Sequence, residues 1–334
     1  MFNKIYDKIK EFIINNYKFL IVWLILIFMF FYELPYVIYT PGGIVNLEDR
    51  IKVDGTNLED NGSLNMSYVS LVKGTIPMLL LATIIPNWDI LDKDEITMED
   101  ESVNELLELE RLYMQSSIDN ATILAFTKAD KEINITENVN NIIFIAEEAK
   151  TDLQIYDELL SVDGKKINTI DELKTIINKK NNGDTVKIKV NRDGKEKECS
   201  AKVYESGDGL KIGVAFLTTY KYTTNPEVEI STKSSESGSS GGLMLSLAIY
   251  NAISDYDITK GRTIVGTGTI DILGNVGEID GIKYKLLGAV KNDADIFLCP
   301  KENYEEAIEV KNEFDLDIKI YSVATFDEAL EILK

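Results

Sequence analysis

The chain has 334 residues, with 56 acidic against 35 basic side chains and a formal net charge of -21. That balance argues against nucleic acid as a partner, because phosphate contacts need clustered Lys and Arg. Histidine is absent. A Ser-His-Asp or Cys-His catalytic group is therefore excluded, as is imidazole metal ligation, and any general base must be Lys, Asp, Glu, Tyr or a terminal amine. Cys199 and Cys299 lie far apart at no metal-ligand spacing, so they are expected to be buried rather than bridged or metal-bound.

The first element is apolar. Residues 19–32 read FLIVWLILIFMFFY without a charge, which alone is short for a bilayer needing roughly 20 residues of helix. The chain continues LPYVIY, and Lys18 can snorkel, so a transmembrane anchor is expected at residues 18–39 after a short cytoplasmic segment at 1–17. No small-x-small cleavage site follows, and Trp and Tyr flank the run as an interfacial belt does. An uncleaved anchor is expected rather than a signal peptide. Lys4, Lys8, Lys10 and Lys18 precede the run. This bias predicts a cytoplasmic N-terminus, with the rest of the chain outside the cell membrane. No GxxxxGK[ST] loop is present, so ATP is not expected as a partner.

Residues 40–137 open on the turn-like TPGG and are expected to pack with the other domains. The run IPMLLLATIIP at 76–86 is bounded by prolines and too short to span. It is expected as a buried core element, although Trp88 just beyond it keeps a membrane-surface contact in view. In MEDESVNELLELERLYM, the spacing of Val103, Leu106, Leu107, Leu109 and Leu112 predicts an amphipathic helix of purely structural use.

From residue 138 to 204 the pattern changes to strand (NIIFIA), strand and turn (DELLSVDGKKI), helix (TIDELKTIINKK) and a hairpin turning at Asp193-Gly194. This order resembles a PDZ domain, with Asp157, Val162, Asp163, Gly164, Gly183, Asp184 and Gly194 on the family pattern. Tyr156 stands where that family usually has Gly, and no GLGF-like loop is legible upstream. The resemblance implies binding of extended peptides at a sheet edge.

Residues 205–334 alternate strands and helices. Within them, SSESGSSGGLMLSLAIYNAI crowds small polar residues at the mouth of a helix. Further on, GTGTIDILGNVGEIDGIKYKLLGAVKNDADIFLCPKEN follows. This second segment is similar to the proteolytic domain of Lon proteases. The resemblance implies a Ser-Lys dyad: the GPSAG pattern of that family falls on residues 238–242, making Ser240 the nucleophile. The lysine pair falls on Lys283 and Lys285, with Lys285 in the catalytic place, and Thr267 matches a threonine that bonds the lysine. Gly238 and Gly241 support the turn. Ser239 replaces the family Pro and Gly241 the family Ala, so Ser239 is a rival nucleophile by composition. Helical periodicity alone does not choose between Lys283 and Lys285.

The chemistry is coherent on its own terms. A serine hydroxyl needs a neutral base beside it, and lysine is neutral only when desolvated. The helix starting near Gly241 points amides and its positive end at Ser240, as an oxyanion site requires. The expected architecture is an α+β multidomain chain: transmembrane helix, PDZ-like domain, and a C-terminal Lon-type proteolytic α/β domain. The expected activity is ATP-independent cleavage of extracytoplasmic polypeptides, with no metal or cofactor, and the family's rings imply a homo-oligomer. The rival readings are a decayed PDZ/Lon-like scaffold and an esterase or amidase using the same dyad.

Overall fold

A computed structural model describes residues 2–57, 61–93, 103–207, 209–233, 236–255 and 257–334. The helices are α1 (Phe2–Phe31), α2 (Ile76–Ala82), α3 (Val103–Lys128), α4 (Ile170–Ile177), α5 (Gly242–Ile253), α6 (Ile282–Lys291), α7 (Tyr304–Glu313) and α8 (Phe326–Leu333). The strands used below are β1 (Glu33–Asn46), β2 (Ser63–Thr75), β3 (Asp89–Asp92), β4 (Glu132–Ile145), β5 (Glu158–Val162) and β6 (Thr185–Arg192). They continue with β7 (Lys195–Lys202), β8 (Val214–Asn225), β9 (Thr263–Gly266), β10 (Ile296–Pro300) and β11 (Lys319–Val323).

The stretch Ile5–Phe31 of α1 has a mean hydropathy of 2.0 and is unburied, so it is long and apolar enough to cross a membrane. The helical span expected at residues 18–39 is shifted toward the N-terminus. From Glu33 the chain is strand, paired with β2. Pro35 disfavours helix before it and removes a donor within it. Val37, Ile38 and Tyr39 are β-formers that find partners on both sides, and Tyr36 pairs with β3.

Six strands form one sheet in the order β11-β10-β9-β2-β1-β3. β9 runs parallel to β2 and β10, and β10 parallel to β11, while β1 is antiparallel to β2 and β3. This sheet joins strands from residues 33–92 with strands from residues 263–323, on either side of the PDZ-like segment. Alternation along β9 and β10 sorts the two faces. Ile264, Ile296 and Leu298 join the core around α3, α5 and α8, with Leu124, Leu243, Leu247 and Phe326. Val265, Phe297 and Cys299 join a second core with Ile282 and Leu286 of α6 and Val310 of α7.

The second sheet has the order β7-β6-β5-β4-β8 and packs on α4 through Ile142, Leu159, Leu173, Ile177, Val186 and Val190. The hairpin turn at Asp193 and Gly194 has φ of 53° and 75°, the left-handed pair that a two-residue hairpin needs. Asp157, with no side-chain exposure, accepts from Arg192 Nε at 2.6 Å and Nη2 at 2.5 Å and from the Gln154 amide at 2.8 Å. Tyr156 has φ +71°, which explains why glycine suits that position. Cys199 and Cys299 are both free and buried.

The segment 76–86 contributes only Ala82 to the buried residues. α2 begins with Pro77 in its first turn, and Leu80, Leu81 and Ile84 are 61%, 40% and 78% exposed. The expectation of a buried element there is overturned: no residue of this segment belongs to any of the three core clusters.

The TPGG turn brings backbone close to backbone. A Cβ on Gly42 would lie 1.9 Å from the Tyr68 carbonyl oxygen, and a Cβ on Gly288 of α6 would lie 3.2 Å from the Gly42 carbonyl carbon. Gly42→Ala therefore forces β1 and β2 apart and is expected to destabilise by about 3 kcal/mol. An unchanged urea midpoint would show that this approach is not constrained.

Candidate active site

The two faces of the first sheet meet at the end of β9. Thr267 follows Gly266 and is fully buried, and its amide donates to the Leu298 carbonyl at 3.0 Å, which fixes it beside β10. α5 lies on one face and α6 on the other, and Thr267 touches a residue from each. Its hydroxyl donates to the Ser240 carbonyl at 3.0 Å and accepts from Lys285 Nζ at 3.3 Å.

Ser240 sits in the turn leading into α5. Four contacts hold that turn. The Gly268 amide donates to the Ser240 carbonyl at 2.8 Å, and the Gly242 amide to the Ser239 carbonyl at 3.2 Å. Ser117 Oγ on α3 donates to the Ser239 carbonyl at 3.1 Å, and the Gly238 amide donates to the Glu110 carbonyl on α3 at 3.0 Å. Gly238 has φ +87°, so glycine suits that corner. Gly241 does not need to be glycine for its backbone, with φ −87°. A Cβ there would meet only the sulfur of Met66 at 2.7 Å, the movable end of a side chain. Gly242 is more constrained, because a Cβ would lie 2.8 Å from both Ile270 Cγ2 and Ser117 Oγ.

α5 itself is apolar all round and buried along most of its length, so the turn is carried by a rigid element. The amides of its first turn are partly used already: Leu243 donates to the Gly268 carbonyl at 3.0 Å and Leu245 to Gly241 at 2.9 Å. Among the described residues nothing accepts from the amides of Ser240 and Gly241. These two remain for a ligand oxygen beside the Ser240 hydroxyl.

The two lysines of α6 differ sharply. Lys283 pairs with Asp89 of β3 at 2.7 Å and is partly exposed. Lys285 is 5% exposed, between Ile282 and Leu286, which are fully buried. Burial lowers its pKa from 10.5 to about 8, against the opposing charge of Asp280. Among the described residues no direct hydrogen bond joins Ser240 Oγ to Lys285 Nζ; both line one open cavity of ≈ 1430 Å³ together with Tyr39, Glu110, Tyr113 and Asp280.

Of the residues singled out in the sequence, Ser240, Lys285 and Thr267 come together, with Gly238 and Gly241 in the same turn. Ser239 faces α3 through its carbonyl. What the sequence reading missed is α3: its Glu110 and Ser117 brace the turn, and Glu110, Tyr113 and Met114 line the cavity. The amphipathic spacing marked it as a helix, yet carried no sign of this use.

Two family models match parts of the chain. Residues 125–203 match the family model described as PDZ domain, and residues 230–334 match that of the Lon protease (S16) C-terminal proteolytic domain. The chain thus holds a PDZ domain and a Lon-type proteolytic domain in a mixed α+β architecture. It is similar to the Lon protease of Campylobacter jejuni, at 36% identity over 95 residues, 28% of this chain and 12% of that protein. It is also similar to Lon protease 1 of Thermus thermophilus, at 33% identity over 96 residues, 29% of this chain and 12% of that protein. The chain therefore spans only 12% of the length of these curated relatives. Among solved structures, the PDZ domain of the SdrC-like protein from Listeria monocytogenes is 21% identical, covering 25% of this chain and 93% of that one, with a TM-score of 0.23. Its counterpart from Listeria innocua is 27% identical, covering 23% and 92%, with a TM-score of 0.22.

The burial of Lys285 has a stability consequence of definite sign. Between pH 8 and 10.5 the unfolded chain binds a proton at this site that the folded chain has released, so folding stability rises with pH across that window. Below it the buried amine is a full penalty of about 3 kcal/mol. Lys285→Met is expected to be more stable than the parent at pH 7 by up to that amount, with the difference closing near pH 10.5. Denaturant midpoints of the two proteins at both pH values check this; equal midpoints at pH 7 would contradict it.

Proposed function

We propose that this chain is a membrane-anchored serine endopeptidase in which Ser240 is the nucleophile and Lys285 the general base. It cleaves extracytoplasmic polypeptides without ATP. The observation that carries the reading is a desolvated lysine sharing one cavity with a serine at a helix mouth, linked through Thr267. The neutral amine donates to Thr267 and keeps its lone pair for the Ser240 proton. Ser240 Oγ then attacks the carbonyl carbon, and the amides of Ser240 and Gly241 receive the oxyanion. Lys285, now an ammonium, protonates the leaving amine. A water attacks the acyl-serine by the same route in reverse.

The cavity of ≈ 1430 Å³ exceeds the roughly 300–1,000 Å³ of sites for small molecules, which favours a polypeptide over a small ester. Glu110, Glu278 and Asp280 in its wall favour substrates with basic side chains near the cleaved bond. The PDZ domain would bring polypeptide to the site along β8, the edge strand of its sheet. Ser116 and Asp119 of α3 cover that edge at Thr218 and Tyr220, so added strand would pair ahead of Thr218. Subunit rings, as implied by the Lon resemblance, remain part of this proposal.

Cleavage of an unfolded protein by the full chain in detergent or liposomes tests the reading. Ser240→Ala is expected to lose at least roughly 10³-fold in kcat/KM. Lys285→Arg should be equally inactive, since guanidinium keeps its proton, and Ser239→Ala should retain activity. Wild-type kcat/KM should climb with pH through about 8 as Lys285 loses its proton. No turnover in the wild type would favour a binding scaffold, and activity surviving in Ser240→Ala but lost in Ser239→Ala would move the nucleophile.

A further inference from the structure

We propose that the α2 segment is a second membrane contact, lying in the lipid interface beside the end of α1. The inference rests on the reading of α1 as a membrane span. Residues 74–88, GTIPMLLLATIIPNW, contain no charged side chain in a chain where 27% of residues are charged. The fold buries Ala82 but leaves Leu80, Leu81 and Ile84 open, at 61%, 40% and 78% exposed. A run this apolar, left open and tipped by Trp88, has the composition of an interfacial segment.

Its position identifies the occupant. β2 ends at Thr75, which pairs with Glu33, and Glu33 stands two residues beyond the end of α1. α2 starts at the next residue and packs against α1. The open apolar face is thus continuous with the apolar surface of a helix that crosses the bilayer.

The end of α1 points the same way, since no charge follows Lys18 within the helix and the chain just past Tyr32 emerges where a span would meet the lipid boundary. The first charges there, Glu33 and Lys73, neutralise one another at 2.6 Å, an arrangement suited to the headgroup layer. A second protein copy could cover the same face, but the face adjoins the end of a helix long and apolar enough to cross a membrane.

The two tryptophans of the chain, Trp23 in α1 and Trp88 after α2, allow a test on the full-length protein. The protein is reconstituted in phosphatidylcholine/phosphatidylglycerol liposomes whose acyl chains are brominated either near the headgroup or near the bilayer centre. Trp88→Phe leaves Trp23 as reporter of the span. In a Trp23→Phe/Trp88→Phe background, Ile84→Trp reports on the α2 segment, and Leu273→Trp, at a position 77% exposed, serves as the control. Shallow bromines are expected to cut Ile84→Trp emission about twofold and leave Leu273→Trp unchanged. If Trp23 is quenched while Ile84→Trp matches the control, the α2 contact is overturned and the span stands. A blue-shifted but unquenched Ile84→Trp also overturns it, because protein rather than lipid then covers the face. If Ile84→Trp is quenched but Trp23 is not, the interfacial contact holds and the span reading fails. If neither is quenched, both fail.

Discussion

Two helices on opposite faces of a sheet can bring side chains together only where a strand stops, and the Thr267 hydroxyl occupies that point. It accepts from Lys285 of α6 at 3.3 Å and donates to the carbonyl of Ser240 ahead of α5 at 3.0 Å. Everything around it serves this junction. Parallel pairing of β9 with β2 and β10 buries the strand on both faces, and the alternation of Ile264 and Val265 feeds two separate cores. Each core fixes one helix. A side chain longer or less polar than threonine at that strand end would separate the two sides instead of joining them.

Desolvation of Lys285 underlies the proposed chemistry of the site and sets its cost in stability. An exposed lysine is almost wholly charged at neutral pH and has no lone pair to offer. Burial removes its water, and the free energy lost is supplied by the packing of α6 against the sheet. Backbone contact contributes here: Gly288 lies against Gly42, so α6 approaches β1 more closely than a side chain would allow. The neighbouring Lys283 and Tyr284 both donate to Asp89 at 2.7 Å, which fixes the rotation of α6 and keeps Lys285 turned inward.

The local signals in the sequence were legible because they depend on neighbours. The Asp193-Gly194 turn, the Thr169-capped α4 and the strands around Asp157 follow from periodicity and turn chemistry. The Lon-type segment named Ser240, Lys285 and Thr267 through resemblance, and burial now separates Lys285 from Lys283, which periodicity did not. What escaped was long-range. Nothing in residues 33–92 announces that β1, β2 and β3 complete a sheet whose other strands begin after residue 262. The role of α3 escaped for the same reason, since Ser117 meets Ser239 across 122 positions of chain. The end of α1 was misjudged because apolar strand and apolar helix look alike over LPYVIY until Pro35 and the β2 partner are weighed. The apolar run of α2 pointed to a core that the fold does not build there.

The central claim is that burial lowers the pKa of Lys285 to about 8, so that a sizeable share of the amine is neutral just above physiological pH. Its titration can be followed directly by NMR with lysine labelled with ¹³C at Cε, the Lys285 resonance being the one missing from Lys285→Arg. A midpoint at about 8, well separated from the surface lysines, is expected. A midpoint near 10.5 would mean a solvated, charged amine, and Lys285 would then not be the base.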